Sequence, residues 1–264
     1  MVNSELIEVE VADGVACLTL RNPPLNLVSL ELTRELSEAL DRLAADRQAR
    51  VLVVTGAGPG ARAFCAGSHI AEFDAYMTPG AVLEKKLVFE NATYSKLDDF
   101  PKPTIAAVNG LAYGGGLELA VCCDILVAAQ SAKLALPEAK LGVFPGSGGT
   151  IRVTRRVGEG RAKEMMFLGD PIDAHTALSW GLVNRMVPAG QALVGAIEIA
   201  KVLAIRPNRA LQLCKQAVDM AFDTNEGDAV HRTLALSEQA FCTDDCREGV
   251  RAFLAKEPPK FTHR

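Results

Sequence analysis

Two glutamates stand where a carboxylate is out of place. Glu118 lies in Leu117-Glu118-Leu119-Ala120-Val121; Glu138 follows Lys133-Leu134-Ala135-Leu136-Pro137 and precedes Ala139-Lys140-Leu141-Gly142-Val143-Phe144. A carboxylate among apolar neighbours is costly unless something uses it. No Ser, Cys or His nucleophile motif accompanies them, so the pair suggests acid–base chemistry, a proton taken from or delivered to a carbon beside a carbonyl. Each also has a plainer reading. Glu118 is a first-turn carboxylate favoured by a helix dipole, and Glu138 pairs in solvent with Lys140 or Lys133.

Upstream of Glu118 runs Asn109-Gly110-Leu111-Ala112-Tyr113-Gly114-Gly115-Gly116. It follows an apolar run and opens an apolar helix. Three glycines let a ligand approach the backbone closely. The free N–H groups of a helix start suit an oxygen that becomes negative during a reaction, here an enolate oxygen. Two other glycine-rich loops fit less well. Gly56-Ala57-Gly58-Pro59-Gly60 misses the dinucleotide fingerprint by one residue, and Pro59 removes a backbone donor, so it reads as a turn. Pro145-Gly146-Ser147-Gly148-Gly149-Thr150 has Pro145 where a nucleophile elbow needs glycine, so it reads as a flexible start to the next helix.

These residues need elements to hold them. Leu6–Val11 and Val15–Leu20 alternate about Asp13-Gly14, the pattern of a hairpin. Asn22-Pro23-Pro24 stops it, and Ser29 caps a helix to about Ala45 with Leu32, Leu36, Leu40 and Leu43 on one face. Apolar runs without alternation at 51–55, 104–108, 124–128 and, shorter, 183–187 read as strands buried on both faces. Helical patterns at about 81–98, 115–123, 148–157 and 159–168 lie between them, which makes an α/β fold. After Val187 only helical patterns follow, broken at Arg206-Pro207 and Asp223-Thr224. The expectation is an α/β core over 1–188 and a helical region over 189–264 that folds back on the core or packs against another subunit.

The chain has 264 residues, of which 49% are hydrophobic and 23% charged, enough to bury a core without disulfides or metals. A net charge of −4 argues against nucleic acid as the main partner. Met1–Leu6 does not read as a signal peptide, and no run nears the about 18 apolar residues of a membrane span. A bacterial cytoplasmic protein, or a trimmed organelle-matrix one, is expected. The 7 cysteines sit mostly in apolar segments and read as buried and reduced; Cys242 and Cys246 lack partners at zinc spacing, so no metal is expected.

Ordered motifs along nearly the whole chain carry a resemblance. They include Asn22-Pro23-Pro24-Leu25-Asn26, Ala63-Phe64-Cys65-Ala66-Gly67, Lys102-Pro103-Thr104, Asn109-Gly110, Gly114-Gly115-Gly116-Leu117-Glu118, Cys123-Asp124, Pro137-Glu138, Leu141–Thr150 and Ala177–Val183. The chain resembles the crotonase superfamily, the enoyl-CoA hydratase/isomerase group. That resemblance implies a crotonase-like spiral of ββα units with a C-terminal helical trimerisation region. It implies an oxyanion hole for a thioester enolate, formed by the N–H groups of Ser68 and Gly115. Glu118 then positions and deprotonates the water that attacks Cβ, and Glu138 protonates Cα, twenty positions further on as in the hydratases. Family isomerases usually keep only the second glutamate; bifunctional members keep both.

By the same resemblance Asn26, Ala66, Gly67, His69, Ile70, Gly114, Lys260 and Phe261 line the substrate site, the last two sometimes in a neighbouring subunit. No cofactor is implied, since coenzyme A belongs to the acyl-CoA substrate. The assembly implied is a homotrimer or a dimer of trimers. His69 stands where the family has Asp or a similar residue; it either points away or tunes the acyl pocket. Phe73, Tyr76, Met77, Leu83, Leu87 and Phe89 fall in the stretch that walls that pocket. A Δ3,Δ2-enoyl-CoA isomerase is the nearest alternative. A non-catalytic RNA binder is another, against which the mixed charges of helix 30–47 speak. Trp180 and Met165-Met166-Phe167 read as core, and Arg152 as a structural ion pair.

Overall fold

The structure, a computed structural model, describes residues 5–57 and 62–263. The N-terminal tetrapeptide, and residues 58–60 of the loop read as a turn, lie outside the described residues.

β1 (Ile7–Ala12) and β2 (Val15–Leu20) pair antiparallel across Asp13-Gly14, as expected. α1 (Leu30–Ala45) is capped by Ser29, whose hydroxyl accepts from the Leu32 N–H; such a cap contributes about 1 kcal/mol. Lys102 holds the other end of α1 by donating to Leu43 O and Asp46 O, each at 2.6 Å. β3 (Val51–Gly56), β5 (Thr104–Val108), β7 (Ile125–Ala129) and β10 (Arg185–Val187) continue the sheet in parallel, in the order β1-β2-β3-β5-β7-β10.

The strands of a second sheet, implied by the resemblance to a spiral of ββα units, are not legible in the residue pattern. β4 (Ala63–Cys65), β6 (Leu111–Tyr113), β8 (Lys133–Ala135) and β9 (Ile172–Asp173) form it in that order. Strands of two or three residues are too short to show a period. The two sheets are fed alternately: β3 runs on to β4, β5 to β6, β7 to β8, and a helix follows each pair. That is the spiral of ββα units. α2 (Val88–Asp98) follows a π-helical turn at Leu83–Leu87, α3 (Gly115–Ala120) follows β6, and α4 (Gly149–Val157) follows β8. α5 (Glu159–Leu168) and α6 (Ala174–Trp180) complete this part.

The central strands β3, β5 and β7 of the large sheet are buried on both faces; β10, expected to be so, is not, because it is an edge strand with Arg185 exposed. Leu52, Val54, Ala106 and Val108 join one core with Leu32, Leu36 and Leu40 of α1. Val51, Val53, Ile105 and Ala107 meet Ala192, Ala196, Ala200 and Ala204, an alanine stripe on α7 (Ala192–Ala204). Small side chains at i, i+4 let that helix lie close on β-branched strands. α7 belongs to the expected helical region and takes the first of its two expected fates, folding back on the core. α8 (Asn208–Asp219) is tied in by Lys215, 2.9 Å from Asp124, and Asp124 itself accepts from the Thr104 N–H. α9 (Glu226–Phe241) and α10 (Asp244–Ala255) follow. Among the described residues no helix is long and apolar enough to cross a membrane.

Three expectations are corrected. Met165 is buried, but Phe167 is 73% exposed because it lies on the outer side of α5. Trp180 is only half-buried, at the end of α6 under the Arg161 guanidinium. Cys65, Cys122 and Cys123 are buried, whereas Cys214 and Cys242 are exposed on the C-terminal helices.

Gly116 shows how tightly α3 is seated: a Cβ there would sit 2.0 Å from the Cys65 carbonyl oxygen. Gly→Ala inside a helix ordinarily stabilises by about 0.5–1 kcal/mol. Here the sign reverses, and Gly116→Ala is expected to destabilise by about 3 kcal/mol through overpacking. Urea unfolding monitored by circular dichroism checks this; a neutral or stabilising effect refutes the close seat.

Candidate active site

β4 and β6 are parallel neighbours in the small sheet, so the loops leaving them emerge side by side. The first carries Ala66-Gly67-Ser68, the second Gly114-Gly115. Gly114 adopts φ 51°, in the left-handed region that favours glycine, and a Cβ there would lie 2.9 Å from Glu138 Oε1. The Ser68 and Gly115 backbones come together: a Cβ on Gly115 would sit 3.9 Å from Ser68 N and 3.6 Å from Ser68 Oγ. Among the described residues neither N–H donates to a protein acceptor. Tyr94 fixes the same corner by donating to Gly115 O at 2.9 Å.

α3 carries Glu118 inward, where it is 3% exposed. Its Oε1 accepts from the N–H groups of Ser147 and Gly149, both at 2.8 Å. The loop read as a flexible helix start is therefore a clamp: Ser147 is buried and its backbone holds a carboxylate. Glu138 begins a 3-10 turn after Pro137. Its Oε2 is buried without a hydrogen-bond partner. Glu118 does stand in the first turn of α3, but deep in the protein rather than at a surface. The solvent pairing read for Glu138 does not form among the described residues, and Lys140 pairs instead with Asp170 at 2.6 Å.

Both carboxyls are pushed up by burial. Glu118 reaches about 7, because loss of water outweighs the Gly149 and Ser147 N–H groups that favour its charge, and Glu138 and Glu90 raise it further. Glu138 is raised by burial alone. They face one cavity of about 440 Å³, floored by Ser68, Gly115, Glu118, Glu138 and Ser147 and walled by Phe73, Tyr76, Met77, Val82, Leu87, Val143 and Phe144. A hollow of about 500 Å³ between α1 and α2, lined by Leu30, Arg34, Tyr76, Glu84, Lys85 and Phe89, holds neither glutamate.

Of the other expected substrate residues, Gly114 and Gly67 adjoin the Gly115 corner, and the rest do not line the cavity. The Asn26 side chain is spent on structure: Nδ2 donates to Ala63 O and Phe64 O, and Oδ1 accepts from Asn22 N. Ala66 and Gly67 carry the chain to Ser68 through backbone bonds with Leu25 and Val28. His69 does not line the cavity; its side chain is 45% exposed with Nδ1 3.6 Å from Glu72 Oε1, and Ile70 is exposed on the following turn. Lys260 and Phe261 are held on α10, the former by its N–H to Glu248 Oε1 and the latter packed near Gly249. Arg152 makes the expected structural pair, 2.9 Å from Asp98. The sequence reading missed Lys86, Glu90 and Ser147. Glu90 stands in Val88-Phe89-Glu90, one residue beyond the stretch assigned to the pocket wall, and its partner Ser147 is far away in the chain.

Two desolvated carboxyls over a pair of unpartnered backbone N–H groups, set on alternating large and small sheets, define an acid–base enzyme of the crotonase fold. Residues 10–264 match the enoyl-CoA hydratase/isomerase family, and the chain belongs to it. A Mycobacterium bovis relative named "Probable enoyl-CoA hydratase echA8" is 38% identical over 98% of this chain and 99% of its own. Among solved structures, an enoyl-CoA hydratase subunit from Geobacillus kaustophilus superposes with a TM-score of 0.92 at 36% identity, covering 99% of this chain and 100% of that one. DspI of Pseudomonas aeruginosa gives 0.93 at 34%, covering 99% and 98%.

The raised Glu118 has a stability consequence. A carboxyl whose native value lies above its unfolded value of 4.5 favours the fold while protonated, and that contribution is lost as pH rises through about 7. Glu118→Gln is therefore expected to gain on the wild type as pH rises, by a difference on the order of 3 kcal/mol between pH 5 and pH 8. Paired urea melts at the two pH values check it; a gap that stays constant refutes the burial argument.

Proposed function

We propose that the chain is an enoyl-CoA hydratase adding water reversibly to a trans-2-enoyl-CoA to give a 3-hydroxyacyl-CoA. The observation that carries this is the shared cavity of Glu118 and Glu138 beside the free N–H groups of Ser68 and Gly115. The thioester oxygen sits between those two N–H groups, whose value to the enolate is about 2.7–4 kcal/mol each. Glu118, ionised, takes a proton from water as it attacks Cβ. Glu138, protonated, delivers a proton to Cα as the enolate collapses. Two mutually repelling, buried carboxyls favour one proton shared between them near neutrality, the state such a step needs. The apolar wall from Phe73 to Leu87 and Phe144 takes the acyl chain.

Loss of the conjugated enoyl-thioester absorbance with crotonyl-CoA and longer chains measures the reaction. Glu118→Gln and Glu138→Gln are each expected to lower the rate by about 10²–10⁴; full activity in both refutes the roles. An isomerase reading predicts turnover of 3-enoyl-CoA that survives loss of Glu118, with no hydration. Against an RNA-binding role, the outer face of α1 pairs its own charges, Arg34 with Glu31 and Arg42 with Glu38.

The same reading includes assembly. Val230, Leu234 and Phe241 of α9 and Val250, Phe253 and Leu254 of α10 are exposed, Phe253 by 84%. Patches of this kind mark interfaces. A homotrimer or dimer of trimers covers them, in the bacterial cytoplasm or, in mature form, an organelle matrix. Light scattering after size exclusion is expected to give three or six times the 28.1 kDa chain mass; a monomer refutes it.

A further inference from the structure

A third buried carboxylate lines the cavity and has no role in the chemistry above. Glu90, on the first turn of α2, is 3% exposed. Both its oxygens are engaged: Oε2 by Lys86 Nζ from the π-helical turn, and Oε1 by the Ser147 hydroxyl. Lys86 and Ser147 also line the cavity. The backbone N–H of that same Ser147 is one of the two donors to Glu118 Oε1, at 2.8 Å. An unbroken series of contacts thus runs from Lys86 through Glu90 and Ser147 to Glu118. Two further ties assist it on the same loop: Asn91 Nδ2 donates to Gly146 O at 2.9 Å, and the Arg152 guanidinium donates to Ser147 O at 3.3 Å.

We propose that Glu90 is a positioning residue for Glu118: the Lys86–Glu90 ion pair anchors the Ser147 hydroxyl, and the anchored loop aims the Ser147 and Gly149 N–H groups at the Glu118 carboxylate. The inference rests on the reading of Glu118 as the base. It explains why a serine rather than a fourth glycine stands inside a glycine-rich loop, and why a buried ion pair is kept in an otherwise apolar wall. Removing one partner of such a pair leaves a buried charge uncompensated.

The groups facing Glu118 are Glu138 from the 3-10 turn, Glu90 and Tyr94 from α2, Lys86 from the π-helical turn, Cys122 beyond α3, and Arg152 of α4 with its partner Asp98. Ser147 and Glu90 act on Glu118 with opposite signs: the N–H favours its charge, and the Glu90 carboxylate opposes it. Two variants separate them. Glu90→Gln keeps an acceptor for the Ser147 hydroxyl and removes the charge. Ser147→Ala keeps the charge and removes the anchor. Ser147→Thr retains the hydroxyl and serves as the rescue.

The experiment is an infrared titration of the Glu118 carboxylate stretch, assigned by its loss in Glu118→Gln, with crotonyl-CoA hydration measured in parallel. Titration is expected to move down in pH for Glu90→Gln and up for Ser147→Ala, with Ser147→Thr near wild type. In Ser147→Ala, kcat is expected to fall about tenfold or more with KM little changed, the loss of one hydrogen bond to a charged group. A Glu118 titration unmoved in both variants, or moved the same way by both, overturns the proposal. The titration needs no turnover. A wild type that hydrates no enoyl-CoA refutes the hydratase reading and leaves the positioning test decided by the infrared result.

Discussion

The Glu118 carboxylate, taken out of water and returned only two backbone N–H groups, is the constraint around which the rest of the structure is arranged. Moving an ionised carboxyl into a protein costs several kcal/mol, and two donors offset only part of that. The shortfall is what lifts its proton affinity to the neutral range. To hold it there the fold must fix three things at once. α3 must be seated hard against β4, which Gly116 permits by leaving room for the Cys65 carbonyl. The 147–149 loop must keep its N–H groups turned inward. Glu138 must come close enough across Gly114 to share the cavity. Only the first of these is written in the helix that carries Glu118; the other two come from segments remote in the chain.

The two sheets divide this work. The large one is mostly parallel, with central strands buried on both faces, closed by α1 on one side and by the alanine stripe of α7 on the other. It contributes the stability that a site with strained electrostatics needs. The small one is made of strands of two or three residues and stabilises little by itself. Its use is geometric: parallel strands β4, β6 and β8 end side by side, so the segments leaving them deliver Ser68, Gly115 and Glu138 to one place.

That division also decides what could be read from the amino-acid order. The hairpin, α1 and strands β3, β5 and β7 were legible because burial on one or both faces writes a period or a continuous apolar run over five residues or more; β10, three residues at the sheet edge, left only a shorter trace. The short sheet writes neither. The carboxylate pair was legible because charge among apolar residues is conspicuous. Its burial was not, since a first-turn glutamate reads the same at a surface. Asn26 is the opposite case: it belongs to a motif near the site, yet its amide is consumed by the β4 carbonyls. Phe167 misled because the apolar run Met165–Leu168 winds around α5, so that Met165 faces the core while Phe167 and Leu168 face outward. Glu90 was invisible for a further reason. Its meaning depends on Ser147, more than fifty residues along, and no local pattern links the two.

The exposed apolar residues fall into two groups, and their surroundings separate them. Met77, Val143 and Phe144 ring a concavity whose floor carries polar groups without partners. An apolar mouth over unsatisfied polar atoms suits a ligand that is itself apolar along its length and polar at its reacting end. Phe241, Val250, Phe253 and Leu254 are exposed at the C-terminal helices and line no cavity with the glutamates. Along α10 the charges are already paired, Arg251 with Glu248 and Arg247 with Asp244, so they add little attraction for a charged ligand. Such a surface fits the covering by further copies of the chain that we propose, as the apolar ring of the cavity fits the acyl chain of the proposed substrate.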